Sequence, residues 1–406
     1  ALPDNAKETL KGTDVDILVG IPSFNNAHTI NYVVYRVAEG LANYFRDMEC
    51  LIFISDGGST DGTLDVVNAM KIPFKIPIYT TVYKGVRGKG SAVKAIFEAS
   101  KFLKAKAIAL FDSDLRSITP RWVDLLLSPV LDGTAFVTPF YVRHKYDGTI
   151  TNFLCYPLTT CIYLQEIRQP IGGDFGLSYE LVEKILESPL WQTPYIQRFG
   201  IDIFETHTAL ANNLEVKQAF MGTKVHEPKD PCECLDFMFR EVAGALFSCI
   251  DHYEKCWKRE LKFKQPEIIG RERDFNLARP EPIMVDPRSL LRRYKRSVNH
   301  YVDVYRKILP NDMLQIITAL SKAEAKNFVF PAEAWAKIVF LFASAFKNWG
   351  DDGREALLDA LRVLWIGKVG SFVLESLELD DLEAEKLINQ EMKVFVELRK
   401  VFLDLY

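Results

Sequence analysis

Ala107-Ile108-Ala109-Leu110-Phe111-Asp112-Ser113-Asp114-Leu115 decides how the rest of this chain is read. An unbroken apolar run ends in two carboxylates one residue apart. A run of that length reads as a short buried strand. In an open α/β sheet, ligands bind outside the carboxyl ends of the strands. A pair of hard oxygen ligands there suits a divalent metal that holds a diphosphate. An Asp-x-Asp can also simply end a strand and begin a loop, so the motifs around it carry the decision.

Outward from this strand, residues 16 to 143 alternate strand and helix patterns. Asp16–Pro22, Leu51–Asp56, Pro77–Tyr83 and Thr134–Tyr141 read as strands. Thr29–Phe45, Gly62–Met70 and Gly90–Phe102 have helical periodicity. Strands separated by helices imply parallel pairing, hence an α/β fold with a doubly wound sheet. After Asp230-Pro231 the pattern becomes helical: Leu235–Trp257, Ser289–Ile308, Ala332–Phe346, Glu355–Trp365 and Leu382–Leu405 carry apolar faces at helical spacing. Residues 264–288 hold Pro266, Pro280, Pro282 and Pro287 and read as an extended connection. The expected division is a nucleotide-binding domain over 1–230 and an all-α domain over 231–406.

At 406 residues the chain exceeds the usual size of one domain, and its 48% hydrophobic and 26% charged content allows a core in each of two. A net charge of -4 gives no reason to expect nucleic acid. No apolar run is long enough to span a bilayer, and Ala1-Leu2-Pro3-Asp4 has no signal-peptide pattern, so a cytoplasmic location is expected. The seven cysteines are scattered and read as reduced and structural; Cys232-Glu233-Cys234 lacks zinc-knuckle spacing.

Other motifs gather at the same predicted edge. Ile21-Pro22-Ser23-Phe24-Asn25 ends the first strand and is compatible with a nucleotide pocket. Asp56-Gly57-Gly58-Ser59-Thr60-Asp61-Gly62 ends the second; it reads as a tight turn with Asp61 as a cap, or as a turn in which Asp56 accepts from a base N–H. Arg87-Gly88-Lys89-Gly90 opens a helix, where a cation, small residues and free amides would make an anion site. Gln169-Pro170-Ile171-Gly172-Gly173-Asp174 sets a carboxylate behind two glycines, where backbone can approach a sugar. Asp202 begins a helix in Gly200-Ile201-Asp202, and His226 stands in Lys224-Val225-His226-Glu227-Pro228. A lone His is usually structural. It becomes a ligand only if the fold returns it to Asp114, and imidazole with carboxylate then favours an ion such as Mn²⁺. His207 and His252 fall in helical patterns and read as structural.

Taken together, these motifs resemble a GT-A glycosyltransferase. The order is strand-end Asp56, Gly-Lys-Gly, Asp-Ser-Asp, Gly-Gly-Asp, Gly-Ile-Asp and a late His. Within that class the chain is similar to the mannosylglycerate, glucosylglycerate and glucosyl-3-phosphoglycerate synthase group. Gln169 to Asp174 resembles that group's Gln-Pro-Leu-Gly-Gly-Glu, with Asp for Glu. Asn327-Phe328 and Ala334-Trp335-Ala336 resemble its helical tail. Two features depart from it: Glu227-Pro228 replaces a basic residue after the His, and the first two strand ends look more like transferases with lipid or polysaccharide acceptors.

The resemblance implies transfer of mannose or glucose from a GDP- or UDP-hexose, with retention, to a small acidic acceptor such as D-glycerate or 3-phosphoglycerate. Pro22, Asp56, Lys89, Asp112 and Ser113 would bind the nucleotide, Asp112 at the ribose and Lys89 at the diphosphate. Asp114 and His226 would hold Mg²⁺ or Mn²⁺. Asp202, Asp174 and Lys89 would serve catalysis, and Arg143, Thr151 and Gly173 the acceptor. A guanidinium suits a carboxylate because it can bind it through two hydrogen bonds. An inverting transferase acting on a polyprenyl phosphate or polysaccharide, with Asp202 as base, is the competing reading. A nucleotide-sugar sensor without turnover is the third. Partners are otherwise small molecules, with a homo-oligomer expected through the helical domain.

Overall fold

The computed structural model of the chain describes residues 1–226, 235–272, 275 and 279–406. The chain forms two compact units whose segments alternate: Ala1–Val142, Ile167–Glu227 and Pro266–Glu281 make a sheet unit, and Arg143–Glu166, Pro228–Gln265 and Pro282–Tyr406 a helical unit. The expected boundary after residue 230 lies outside the described residues. Segments 143–166 and 266–281 each belong to the other unit from the one that a single cut there would give them.

The sheet unit has an eight-stranded sheet: β1 (Ile17–Ser23), β2 (Cys50–Asp56), β3 (Ile78–Val82), β4 (Ala107–Leu110), β5 (Phe136–Val142), β6 (Phe175–Ser178), β7 (Val216–Thr223) and β8 (Ile268–Ile269), in the order β3-β2-β1-β4-β6-β5-β7-β8. β1, β2 and β4 are buried along their whole length, as parallel strands covered on both faces must be. The helix Ile30–Tyr44 supplies one cover, burying Val33, Val34, Val37, Ala38 and Leu41 at helical spacing. The parallel sheet expected from sequence needs one correction. β6 runs antiparallel to both β4 and β5. Its Gly172-Gly173 turn lies at the carboxyl edge of β4, so the strand can only run back from there. β8 falls in the stretch read as an extended connection.

Register fixes what stands at that edge. Ser23 pairs with Asp56, so β1 and β2 end together, while Leu110 at the end of β4 pairs with Gly20, three residues before the end of β1. Leu110 pairs with Phe175, which sets Asp174 opposite the residues that follow β4. Val142 pairs with Thr223, which brings Lys224 to the same edge. A bulge between Phe140↔Phe220 and Tyr141↔Gly222 leaves Met221 as an extra residue. Because side chains alternate, that one residue decides which face the chain beyond it presents.

The helical unit is built on Trp257, Trp335, Trp365, Tyr294 and Tyr305, each almost wholly buried. Buried indoles need acceptors. Trp335 Nε1 donates to the Phe153 carbonyl at 2.6 Å and Trp365 Nε1 to the Thr149 carbonyl at 3.3 Å. The long final helix expected from sequence is two, Asp381–Glu397 and Arg399–Leu405, the first opened by an Asp380–Glu383 capping box. Among the described residues, Cys50, Cys155, Cys161, Cys249 and Cys256 form no disulfide, and Cys232 and Cys234 lie outside the described residues. Among the described residues, no helix is long and apolar enough to cross a membrane.

Candidate active site

The chemistry of the sheet unit centres on Lys89, the first residue of the helix Lys89–Leu103. Its ammonium lies 2.8 Å from Asp112 Oδ1 and 3.1 Å from Asp202 Oδ1. Burial works against the charge. Asp112 and Asp202 outweigh it and hold the ammonium's pKa well above its usual value. Lys89 is therefore a fixed cation between two carboxylates from separate elements.

The glycines beside Lys89 do a different job from the one expected. The helix N-terminus is not open to an anion. Gly90 N–H donates to the Arg198 carbonyl and Ser91 N–H to the Gln197 carbonyl, both at 2.9 Å. A Cβ on Gly90 would stand 1.8 Å from the Ile196 carbonyl oxygen. The Gly-Lys-Gly motif thus seats segment 195–200, which leads into the helix Ile201–Ala211 and delivers Asp202 to Lys89. Gly90→Ala is expected to destabilise the protein by about 1–3 kcal/mol through overpacking. It should also separate Asp202 from Lys89. Urea denaturation measures the first effect, and a midpoint equal to wild type would count against the seat.

Asp174 is enclosed rather than presented to a ligand. It has no exposed surface. Its Oδ1 accepts from the Asp112 N–H at 2.9 Å, and its Oδ2 accepts from the Tyr141 hydroxyl and from Lys224 Nζ. Burial raises its pKa, opposed by the charge of Lys224. The expected sugar contact is thereby corrected: Asp174 ties β4, β5, β6 and β7 together beneath the site. Lys224 is the other half of that tie. Its ammonium reaches Asp174 at 2.9 Å, Asp112 Oδ2 at 3.2 Å and the Gly172 carbonyl at 2.9 Å, and stands 5.0 Å from the Tyr141 ring centre. Gly173, at φ +86°, packs so closely that a Cβ would meet Asp112 Oδ2 at 2.1 Å. Its backbone is against Asp112, where an acceptor contact was expected.

The first two strand ends are braced internally. Asp56 is fully buried. It accepts from the Ser23 and Ser59 hydroxyls and from the Gly58 and Ser59 amides, between 2.7 and 2.8 Å. Four donors fill a carboxylate's capacity, so the turn reading of Asp56 describes this structure and a base contact does not. Asp61 braces the same turn, accepting from the Thr63 and Ala27 amides, while Gly62 stands at the N-cap where Asp61 was expected. Pro22 is buried within β1, opposite Ser55. The Ser113 hydroxyl donates to Asn26 Oδ1 at 2.7 Å, and its carbonyl accepts from the Thr29 hydroxyl at 2.8 Å. Ser113 and Leu115 are buried, while Asp112 and Asp114 between them keep partial exposure. Alternation along the loop therefore presents the two carboxylates and hides the serine expected at the nucleotide.

The fold does return His226 to the segment after Asp114. The Arg116 N–H donates to the Val225 carbonyl at 2.8 Å, the Arg116 guanidinium to the His226 carbonyl at 3.0 Å, and the Val225 N–H to Ser117 Oγ at 2.8 Å. Among the described residues, no three His, Cys, Asp or Glu side chains cluster as a closed metal site. Glu227 and Pro228, the departure after the His, lie outside the described residues.

In the helical unit, Arg143 and Thr151 come together around Gly148. A Cβ there would meet Arg143 Nη1 at 2.8 Å and Thr151 Oγ1 at 3.6 Å. Arg143 Nε is 3.7 Å from Asp147, and Thr151 opens a π-helical turn, Thr151–Cys155. Such turns are frequent at functional sites. His207 is buried in its helix, and burial pushes its pKa down to about 3.

Two site residues had a faint signal or none in the sequence. Lys224 ends the apolar run Ala219-Phe220-Met221 at the ligand edge, and only pairing shows that it meets Asp112. Glu205 is one turn after Asp202 on the same helix and fully buried.

Residues 18–183, which hold Asp56, Lys89 and the Asp-Ser-Asp loop, match the model of glycosyl transferase family 2. This part of the chain is similar to family 2 glycosyltransferases. The domain's match ends before the helix that carries Asp202. No curated protein matches the chain significantly. Among solved structures, glucosyl-3-phosphoglycerate synthase from Mycobacterium tuberculosis with Mn²⁺, UDP and phosphoglyceric acid is 22% identical, covering 61% of this chain and 83% of that one, at TM-score 0.44. The same enzyme with Mn²⁺, UDP-glucose and glycerol 3-phosphate is 22% identical, covering 61% and 84%, at 0.43. A mycobacterial protein is 24% identical, covering 60% and 76%, at 0.45.

Proposed function

We propose that this glycosyltransferase moves a hexose from a nucleoside diphosphate sugar to a small acidic acceptor, with retention and with a divalent metal. The observation that carries the reading is the fixed Lys89 ammonium beside Asp112 at the strand edge. A preset cation there stabilises charge on a departing diphosphate without reorganising. Phe24 is 52% exposed, with its ring beside Gly57, and offers a flat face to the base.

The donor set fits a metal. Asp114 supplies a carboxylate and His226 an imidazole, leaving the other positions to diphosphate oxygens and water, as Mg²⁺ and Mn²⁺ use with nucleotides. Asp114 and His226 would hold the ion, whose chemistry when bound is that of a Lewis acid on the diphosphate.

With retention, the lack of an unencumbered carboxylate nucleophile favours a same-face substitution over a glycosyl-enzyme intermediate. Asp174 is enclosed and Asp202 is paired with Lys89. In the proposed step the acceptor oxygen bonds to the anomeric carbon on the face that the phosphate oxygen leaves. The acceptor proton passes to that phosphate oxygen. Arg143 and Thr151 are the residues we assign to the acceptor carboxylate. Inversion with Asp202 as general base is the second reading, favoured by the family 2 match.

Incubating GDP- and UDP-hexoses with glycerate and 3-phosphoglycerate, with Mn²⁺ or Mg²⁺, is expected to give turnover for at least one pair. NMR of the product is expected to show the donor's anomeric configuration. Silence across all pairs rejects the glycerate-type acceptor, and an inverted product rejects the same-face step.

A further inference from the structure

Glu205 is the one acid of this cluster that nothing holds. It has no exposed surface, and neither carboxyl oxygen has a hydrogen-bond partner. It lies three residues after Asp202, on the same helix. The charges that reach it are Asp202 on its own helix, Lys89 on the helix Lys89–Leu103, and Asp112 on the loop after β4. Leaving a buried polar group unpaired is costly, and native structures do so rarely and for a reason.

We propose that Glu205 is a positioning residue that acts through Lys89, deciding whether the ammonium stays between Asp112 and Asp202 or is drawn down towards the helix. Charge explains how. Lys89 and Lys224 already serve Asp112, Asp174 and Asp202. A fourth carboxylate, this one fully buried, would have no cation of its own and would compete for Lys89. Burial and the charge of Asp202, with Lys89 opposing, push the Glu205 carboxyl well above the usual range. Protonated, Glu205 leaves Lys89 at the donor site. Ionisation would turn it into a rival of Asp112 and Asp202. Its sequence neighbour His207 stays neutral and takes no part.

The inference rests on Lys89 being the donor-site cation, so its test has one arm independent of donor binding. The first arm compares the unfolding of the full chain with that of Glu205→Gln as pH rises. The folded pKa of Glu205 is raised above its unfolded value. Folded protein therefore binds more protons than unfolded between the two, and Glu205 costs stability progressively as pH climbs through that window. The urea midpoint of E205Q is expected to pull ahead of wild type steadily above the ordinary carboxyl range. A gap that does not change with pH overturns the neutral acid.

The second arm measures UDP binding by calorimetry from about pH 6 to about pH 9. Wild type is expected to lose about fivefold or more in affinity towards the alkaline end, by coupling of proton and ligand. E205Q, and Glu205→Met as a second neutral variant, are expected to lose that dependence. The same alkaline loss in folded E205Q or E205M overturns the role of Glu205. If wild type does not bind UDP, the series is run with GDP, and failure of both at every pH overturns the transferase reading, and this inference with it.

Discussion

Replacing Lys224 by methionine is expected to cost about 3–5 kcal/mol of stability, the range for removing one partner of a buried ion pair. The side chain is 3% exposed and that of Asp174 is 0% exposed. Methionine keeps the length and loses the ammonium's hydrogen bonds to Asp174 at 2.9 Å, Asp112 at 3.2 Å and the Gly172 carbonyl at 2.9 Å, with its place by the Tyr141 ring. Asp112 retains Lys89, but Asp174 retains only neutral donors, the Tyr141 hydroxyl and the Asp112 amide. The damage is therefore focused on Asp174. Combining K224M with Asp174→Asn should restore much of the loss, because the amide removes the orphaned charge. Urea denaturation of both variants checks this. A K224M midpoint near wild type, or no recovery in the double variant, would show that the two groups are not an energetic pair.

Lys89→Met is expected to lower kcat by about 10²–10³, the usual effect of deleting one preset electrostatic contact to developing charge. The fold should survive it better than K224M. The Lys89, Asp112 and Asp202 side chains are 16%, 23% and 13% exposed, so water can reach the carboxylates left behind. Asp112 also keeps Lys224. The loss should fall mainly on kcat if the ammonium acts on the departing diphosphate, and on KM if it only holds the ground state. Initial rates on the active pair separate the two. A variant with wild-type kcat would remove Lys89 from the chemistry.

These two lysines differ in how much of their role is local in the sequence. Lys89 was visible because a cation between glycines at a helix start is a local pattern. That local pattern does not show what its glycines do. The glycines looked like an open anion site, but the amides of Gly90 and Ser91 are spent on carbonyls more than a hundred residues later in the chain. In the sequence Lys224 stands out only as a neighbour of His226. No spacing joins it to Asp112, which is 112 residues away, and the link exists only because β4, β6, β5 and β7 lie side by side.

The sequence by itself determined the α/β class, the helical tail and the edge at which the acids gather. Those features depend on apolar periodicity and strand ends, which are properties of neighbouring residues. Only the tertiary structure decided the division of labour among the acids. Asp112 and Asp114 are presented, Asp56 and Asp174 are consumed as braces, Asp202 is paired and Glu205 is left unpaired. Side-chain chemistry is the same for all of them. Register, one bulge at Met221 and the antiparallel entry of β6 set which donors each carboxylate meets, and burial then fixes what each can do.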